Sequence, residues 1–332
     1  MKAIVLHEAR GHLKMEDISI PLPGKEEVLI KLQYAAVNHR DLWIWQGSYG
    51  KVSYPCVMGS DGAGTVESVG QGVDPSLAGC DVLINPSLYW GSMRSGQAKG
   101  FQILGVPSQG TFAEYICVPA ENTYPIPQGY NMEKAAALPL AGLTAHRALF
   151  YRGDLKAGQK ILITGIGGGV SSFLLGFAIR ARALVYVTSS SDDKMRKAAE
   201  LGASKGVNYT QPDWDKQLLH YEPEGFDLII DSAGGPGFIN LIGLLRTGGK
   251  IVTFGRTAGN IPEISPALLF YKQVSILGTT MGAPADFNGM LEFVEDHNML
   301  PVIDKVYRLE DIVEAFRTMK DAAQFGKIVL KI

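Results

Sequence analysis

The stretch 161-ILITGIGGGVSSF-173 puts four glycines in five positions, after a β-branched run and before an apolar one. A dinucleotide site makes three demands at such a point. The chain must turn sharply from strand to helix, the backbone must approach a pyrophosphate, and the helix must pack closely on the strand; each demand removes a side chain. The N–H groups at the helix start then face the phosphates. Gly165, Gly168, Gly169 and Val170 are therefore candidate cofactor contacts. The spacing departs from the full fingerprint, because G165-x-x-G168-x-x ends at Ser171 where a third glycine is expected. Serine is small enough to keep the packing. A glycine-rich turn without a ligand is the competing reading, and the strand–helix–strand pattern that follows favours the nucleotide.

The end of the next strand distinguishes the cofactors. An NAD site wants an acid there for the ribose 2′-hydroxyl, about twenty residues beyond the glycines. Here LVYVT runs into Ser189, Ser190 and Ser191, the first acid is Asp192, and Lys194 follows. Small hydroxyls and a lysine accept a 2′-phosphate that an acid would repel, so NADPH is the expected cofactor. The same serines can cap the helix DDKMRKAAELGA, and both roles use the same groups.

The elements around these residues form two textures. The first part is β-rich: KAIVLHE, EVLIKLQYAAV, GAGTVESVG, DVLINPS and FAEYICVP are separated by Gly, Pro, Asp and Asn. From about residue 134, short apolar runs alternate with helical patterns, the signature of a parallel sheet covered on both faces. A chain of 332 residues is too long for one ordinary core and predicts two domains. The 31 Lys and Arg against 33 Asp and Glu leave a net charge of −2, with no electrostatic footprint for nucleic acid or an anionic membrane. Cys56, Cys80 and Cys117 show no CxxC spacing, which argues against a disulfide framework or a four-thiolate zinc site and fits a reducing cytoplasm. Cys56 reads as an inert buried thiol. MKAIVLHEA reads as a strand and lacks the apolar core of a signal peptide, and no run is long enough to span a bilayer. The longest loop-like stretch is 84–110, a length that is usually functional or a relic.

Seven segments carry a family resemblance along the whole chain: 38-NHRDLWIWQG-47, 58-MGSDGAGTVESVG-70, 111-TFAEY-115, 138-LPLAGLTAHRAL-149, the glycine loop, 227-DLIIDSAGG-235 and 326-GKIVLKI-332. In this order they resemble the medium-chain dehydrogenase/reductases. The resemblance implies an α/β protein in which a doubly wound Rossmann sheet is inserted in a GroES-like β-barrel catalytic domain, with the active cleft between them. The expected boundaries are 1–123 plus 283–332 for the catalytic domain and 124–282 for the cofactor domain. It also implies a homodimer or homotetramer in which VSILGTT pairs with its twin across a two-fold axis.

In the zinc alcohol dehydrogenases of this family, Cys, His and Cys hold the catalytic zinc; the matching residues here are Asn38, Ser60 and Leu140. Asn and Ser oxygens replace thiolate and imidazole poorly and Leu is no ligand, so no metal is expected. Arg40 stands where the proton-relay hydroxyl would be, and the 84–110 segment, where a structural-zinc lobe belongs, has no cysteine. Asn38, Asp41, Ser60-Asp61 and LPLAGLTA look like the zinc-free quinone oxidoreductase branch. That implies NADPH-dependent reduction of quinones or α,β-unsaturated carbonyl compounds, small-molecule substrates in either case. The alternatives are a zinc dehydrogenase with another ligand set, recruiting Cys56 and His39, and a non-catalytic NADPH-binding protein.

The implied catalytic residues are Asn38, through its amide N–H, Tyr49, through its hydroxyl, and Asp41, orienting Asn38 or a neighbour. The implied cofactor contacts are His39 at the pyrophosphate, Thr144 at the nicotinamide, Tyr209 at the adenine or ribose, Ser232, Phe254 and Gly255 at strand ends, Thr280 and Gly282 at the carboxamide, and Lys327. Trp43 and Trp45, two apart, face the same way if they lie on a strand and then line an apolar pocket or the core.

Overall fold

The computed structural model describes all 332 residues. The chain divides into two compact units, Met1–Leu143 with Gly282–Ile332, and Thr144–Met281. These boundaries correct the expected ones: residues 124–143 belong with the first unit. The reason is packing of small side chains. Helix Met132–Ala137 buries Ala135, Ala136 and Ala137, and Ala137 sits against Ala36 and Val329 of the sheet.

The first unit is built on a seven-stranded sheet. Its path runs through Thr123–Pro125, Asp81–Ile84, Asp61–Val69, Glu27–Val37, Lys327–Lys331 and Ile303–Arg308, with Tyr115–Pro119 also paired to Glu27–Val37. A three-stranded sheet accompanies it, with Lys2–Leu6 between Lys14–Asp17 and Cys56–Val57. Strand Glu27–Val37 is the hub. It is long, alternates buried and exposed positions at its centre, and is antiparallel to three neighbours. Its register sets Ala36 opposite Asp61 and Val37 opposite Ile328. Three chain segments therefore meet at its C-terminal end.

The stretch 84–110 is ordered around aromatic packing. Ser87–Leu88 pairs with Gln102–Ile103. The buried Trp90 ring meets Phe101 edge-on at 5.2 Å, and its Nε1 donates to the Met93 carbonyl at 2.8 Å. An indole with its N–H satisfied and its faces covered supplies a local core to a lobe that has no cysteine.

The second unit is a six-stranded, wholly parallel sheet. Its order is Lys205–Asn208, Leu184–Ser189, Lys160–Ile163, Phe226–Asp231, Leu245–Thr253, Ser275–Gly278. This is the doubly wound order in which the first strand lies at the centre and the chain reverses beside it. Ile161, Leu162 and Ile163 are fully buried, as expected of a strand covered on both faces. No helix is long and apolar enough to cross a membrane.

One close approach in the first unit is a sharp constraint. A Cβ on Gly64 would lie 2.1 Å from the Lys31 carbonyl oxygen and 2.8 Å from the Leu32 Cα, both backbone atoms of the hub strand. Gly64→Ala should therefore cost about 1–3 kcal/mol by forcing the strands apart. Urea denaturation checks this; an unchanged midpoint would show that the bulge between Leu32 and Tyr34 absorbs the methyl group.

Candidate active site

The hub strand ends at Asn38, whose backbone is extended (φ −128°, ψ 155°), and the helix His39–Trp45 starts there. The Asp41 Oδ2 reaches back to accept from the Asn38 backbone N–H at 2.8 Å, closing the first turn. Asp41 thus fixes the backbone of Asn38. The helix corrects the strand-based reading of the tryptophans, because residues two apart on a helix face different ways. Trp45 packs on Phe316 and donates to the Gly11 carbonyl, whereas Trp43 sits with His39, four residues back.

Beneath Asn38 lies a buried polar network. Lys327 and Asp61 are almost sealed from solvent and pair at 2.9 Å. The Lys327 ammonium also donates to the Asn38 Oδ1 at 2.7 Å and the Val37 carbonyl at 3.2 Å. The Asp61 Oδ2 accepts from the Asn38 amide at 2.9 Å, and its Oδ1 accepts from the Leu140 backbone N–H at 2.8 Å. Two of the expected site residues are tied into this network. Lys327 is spent on this network, because its three donors all find partners inside it. The Asn38 amide also donates inward, to Asp61 and, at 3.5 Å, to the Ala36 carbonyl.

Beside the network sits Arg40, also buried. Its Nη1 donates to the Ser60 Oγ at 2.5 Å and the Leu104 carbonyl at 2.7 Å, and its Nη2 to the Val106 carbonyl at 3.5 Å. Its Nε donates to the Tyr49 hydroxyl at 3.3 Å, and the guanidinium lies 4.9 Å from the Tyr49 ring centroid. Ser60 is engaged twice: it accepts from Arg40 and donates to the Leu104 carbonyl at 2.8 Å. Asp41 Oδ1 stands 4.0 Å from Arg40 and has no hydrogen-bond donor. Burial raises the Asp41 carboxyl to about 6, against the opposing pull of Arg40 and the Asn38 N–H. Burial, and secondarily the Lys327 cation, hold His39 below its ordinary value. Burial pushes the Cys56 thiol up, as suits an inert residue.

The second unit gathers the glycine-loop residues. Gly165 and Gly167 take positive φ (64° and 125°), Gly168 caps the helix Gly169–Arg180, and Val170 lies in its first turn. Ser171 turns its hydroxyl back to the Gly165 and Gly168 carbonyls at 3.2 and 3.0 Å, so it closes the loop where a third glycine was expected. Lys194 reaches the same loop: a Cβ on Gly167 would lie 2.7 Å from its Cδ and 3.1 Å from its Nζ. Ser191, rather than Ser189, caps the helix Asp192–Glu200. Ser189 is buried and accepts from the Ser191 N–H at 3.1 Å, while Ser190 is exposed. The Asp192 carboxylate accepts from Asn208 at 2.9 Å. Tyr209 is half exposed and its N–H bonds the Ser189 carbonyl at 3.0 Å.

The remaining candidates are dispersed. Ser232 meets Gly255 backbone to backbone, with its Oγ 3.9 Å from where a Gly165 Cβ would be, and the Phe254 N–H bonds the Asp231 carbonyl at 3.2 Å. Thr144 is buried in the helix Pro139–His146, and Thr280 follows the edge strand. Gly282 belongs to the first unit, where its carbonyl accepts from the Ser87 Oγ at 2.7 Å. Sequence reasoning gave Arg40, Ser60 and Asp61 no role of their own. The available signal was two pairs of polar residues beside apolar runs, Arg40-Asp41 in the first turn of the helix and Ser60-Asp61 at the start of a strand.

Comparison with known proteins completes the picture. Residues 24–128 match the alcohol dehydrogenase GroES-like domain and residues 169–296 the zinc-binding dehydrogenase domain. The chain is 39% identical to the zinc-type alcohol dehydrogenase-like protein YogA of Leptosphaeria maculans, over 96% of this chain and 94% of that one. It is 30% identical to a quinone oxidoreductase of Rattus norvegicus, over 99% and 97%. A crystal structure of an NAD-dependent alcohol dehydrogenase superposes with a TM-score of 0.92 at 35% identity, covering both chains fully. The chain belongs to the medium-chain dehydrogenase/reductase superfamily. It is an NAD(P)H-dependent oxidoreductase, with a Rossmann unit and a GroES-like unit.

Two predictions follow from the burial of charge. Replacing Lys327 by Met leaves Asp61 sealed without its cation and should cost about 3–5 kcal/mol in urea denaturation at pH 7; a smaller loss would mean that water enters the network. Asp41 titrates near 6 when folded against an ordinary 3.8. The folded state therefore holds its proton longer, and this residue's contribution to stability falls as pH rises between roughly 4 and 6, by up to about 3 kcal/mol. Asp41→Asn should flatten that part of the stability–pH curve; an unchanged slope would place its origin elsewhere.

Proposed function

We propose that this protein is an NADPH-dependent reductase of quinones or α,β-unsaturated carbonyl compounds and works without a catalytic zinc. The observation that carries the reading is the commitment of the polar atoms. At the positions matching the family's zinc ligands, the Asn38 oxygen is taken by Lys327, the Ser60 hydroxyl is used twice, and Leu140 offers only a backbone N–H. No three His, Cys, Asp or Glu side chains converge into a metal site. This donor set does not fit zinc. Oxidation of an alcohol at neutral pH needs something to make the alkoxide, and a zinc ion is the family's means. Reduction of an activated alkene or quinone asks only for a hydride, a place for negative charge and a proton.

The bound nicotinamide supplies the hydride. The glycine loop would hold its pyrophosphate, with Gly165, Gly168, Gly169 and Val170 lending backbone, and Ser190 and Lys194 would take the 2′-phosphate. Thr144, Ser232, Phe254, Gly255 and Thr280 stay as candidate contacts of the same cofactor, Tyr209 as a cover for its adenine or ribose, and His39 as a neutral imidazole. In the first unit, Asn38 and Asp41 are positioning residues. Tyr49 is the proton donor, because its hydroxyl accepts from Arg40 while its own proton goes to no acceptor in the network. The quinone oxidoreductase relative favours the substrate class. The edge strand Ser275–Gly278 has one side unpaired in the sheet, which suits a homodimer, and a reducing cytoplasm suits three free cysteines.

Titration with NADPH and, separately, NADH, followed by tryptophan fluorescence, tests the cofactor. NADPH should bind more tightly, and Lys194→Ala should weaken NADPH by about tenfold, the worth of one charge-assisted contact, while leaving NADH unchanged. Tighter binding of NADH would sink the 2′-phosphate site. Turnover of 1,4-benzoquinone or cyclohex-2-enone should survive dialysis against a chelator; loss restored by zinc would return the protein to the metal-dependent dehydrogenases.

A further inference from the structure

We infer that Arg40 is a positioning residue that aims the Tyr49 hydroxyl and supports the charge left on it when its proton is given up. The inference rests on the reductase reading and extends it to a residue with no assigned part. A guanidinium that is 5% exposed normally pairs with a carboxylate. This one has only a long ion pair, to the Asp41 Oδ1 at 4.0 Å, with no hydrogen bond to that oxygen. Its hydrogen bonds all go to neutral oxygens, Ser60 Oγ, the Leu104 and Val106 carbonyls and the Tyr49 hydroxyl. The cation is therefore held rigidly and left poorly neutralised, the arrangement that favours negative charge appearing nearby.

The direction of the Arg40–Tyr49 bond fixes the rest. Nε–H donates to the phenol oxygen, and the guanidinium also covers the ring at 4.9 Å. These two contacts occupy a lone pair and hold the ring, so the phenol proton is the part left for another molecule. Hydride arriving at the electron-poor carbon of an enone forms a C–H bond there. The alkene pair moves toward the carbonyl carbon, and the carbonyl pair settles on oxygen. The Tyr49 O–H bond then breaks, its proton bonds to that oxygen, and its electron pair remains as a phenolate against Arg40. Solvent returns the proton, and the enol becomes the saturated ketone. The hydride donor, NADPH, is oxidised and the alkene is reduced.

A double-mutant cycle on the full-length protein tests this. Tyr49→Phe should lower kcat for cyclohex-2-enone by about 10²-fold, the usual worth of a general acid, and Arg40→Met by roughly tenfold or more. The double variant should be no slower than Tyr49→Phe alone, because Arg40 acts through Tyr49. Losses that multiply would make Arg40 a merely structural residue and overturn the inference. The same cycle is read without turnover, by calorimetric binding of the unreactive ketone cyclohexanone. Arg40→Met should weaken binding where Tyr49 is present and leave it unchanged in the Tyr49→Phe background; equal weakening in both overturns the inference. If Arg40→Met does not fold, Arg40→Lys, which keeps the charge and loses the Nε donor, is read in the same way. A wild-type protein that oxidises NADPH with neither acceptor refutes the reductase reading, and the ketone-binding cycle still decides the coupling.

Discussion

The Asp61–Lys327 pair is the constraint on which the first unit depends. Taking both charges out of water costs several kcal/mol per ion, and their mutual attraction offsets this only where the remaining lone pairs and protons are also satisfied. Here they are. Lys327 is bonded to Asp61, Asn38 and the Val37 carbonyl, and Asp61 accepts from Lys327, Asn38 and the Leu140 N–H. These partners come from four segments distant in sequence: the hub strand, the strand opposite it, the C-terminal strand and the helix after Pro139. A slip of one residue in either pairing would turn Asp61 or Lys327 to the other face and strand its partner. The pair therefore fixes the register at the end of the hub strand, and Asn38, Arg40 and Ser60 are aimed from that register.

A second layer of charge rests on the first. Arg40 and Lys327 bring two cations, and Asp41 and Asp61 bring two carboxylates, all four nearly sealed. The pairing is uneven. Lys327 and Asp61 neutralise each other at contact distance, whereas Arg40 and Asp41 stand 4.0 Å apart and one Asp41 oxygen has no donor. Burial dominates the Asp41 carboxyl and lifts it to about 6 for this reason. Arg40 turns its hydrogen bonds instead to neutral oxygens, the Tyr49 hydroxyl among them.

The fold was largely legible because its signals are periodic. Apolar runs alternating with helical patterns describe a parallel sheet, and the six strands of the second unit appear where those runs lie. The glycine loop was legible because positive φ and close approach leave few other residues possible. What failed to show was direction. Trp43 and Trp45 follow Asn38 in a stretch that reads equally as strand or helix, and the Asp41 hydrogen bond that makes it a helix is a local contact no apolar period reveals. The domain boundary moved because a short run of alanines prefers a β-sheet face in the first unit, a choice made by packing volume. In the site, residue types were visible and commitments were not. Asn38 offers an N–H in the sequence, and only the approach of Asp61 across the sheet shows that it is already given away.

That difference between a residue's type and its commitment also bears on the chemistry proposed. The family names on the matching domains speak of zinc, and the relatives include both alcohol dehydrogenases and quinone oxidoreductases. A fold shared across such a range does not choose among them. The choice falls to what can carry charge beside the substrate oxygen. A divalent metal lowers the cost of an alkoxide enough for alcohol chemistry to run in both directions near neutral pH. In the proposed reaction a guanidinium acting through a phenol is weaker than a metal, and the phenol gives a proton. It therefore favours substrates that already carry an electron-poor carbon, and the direction in which a carbonyl oxygen gains a proton.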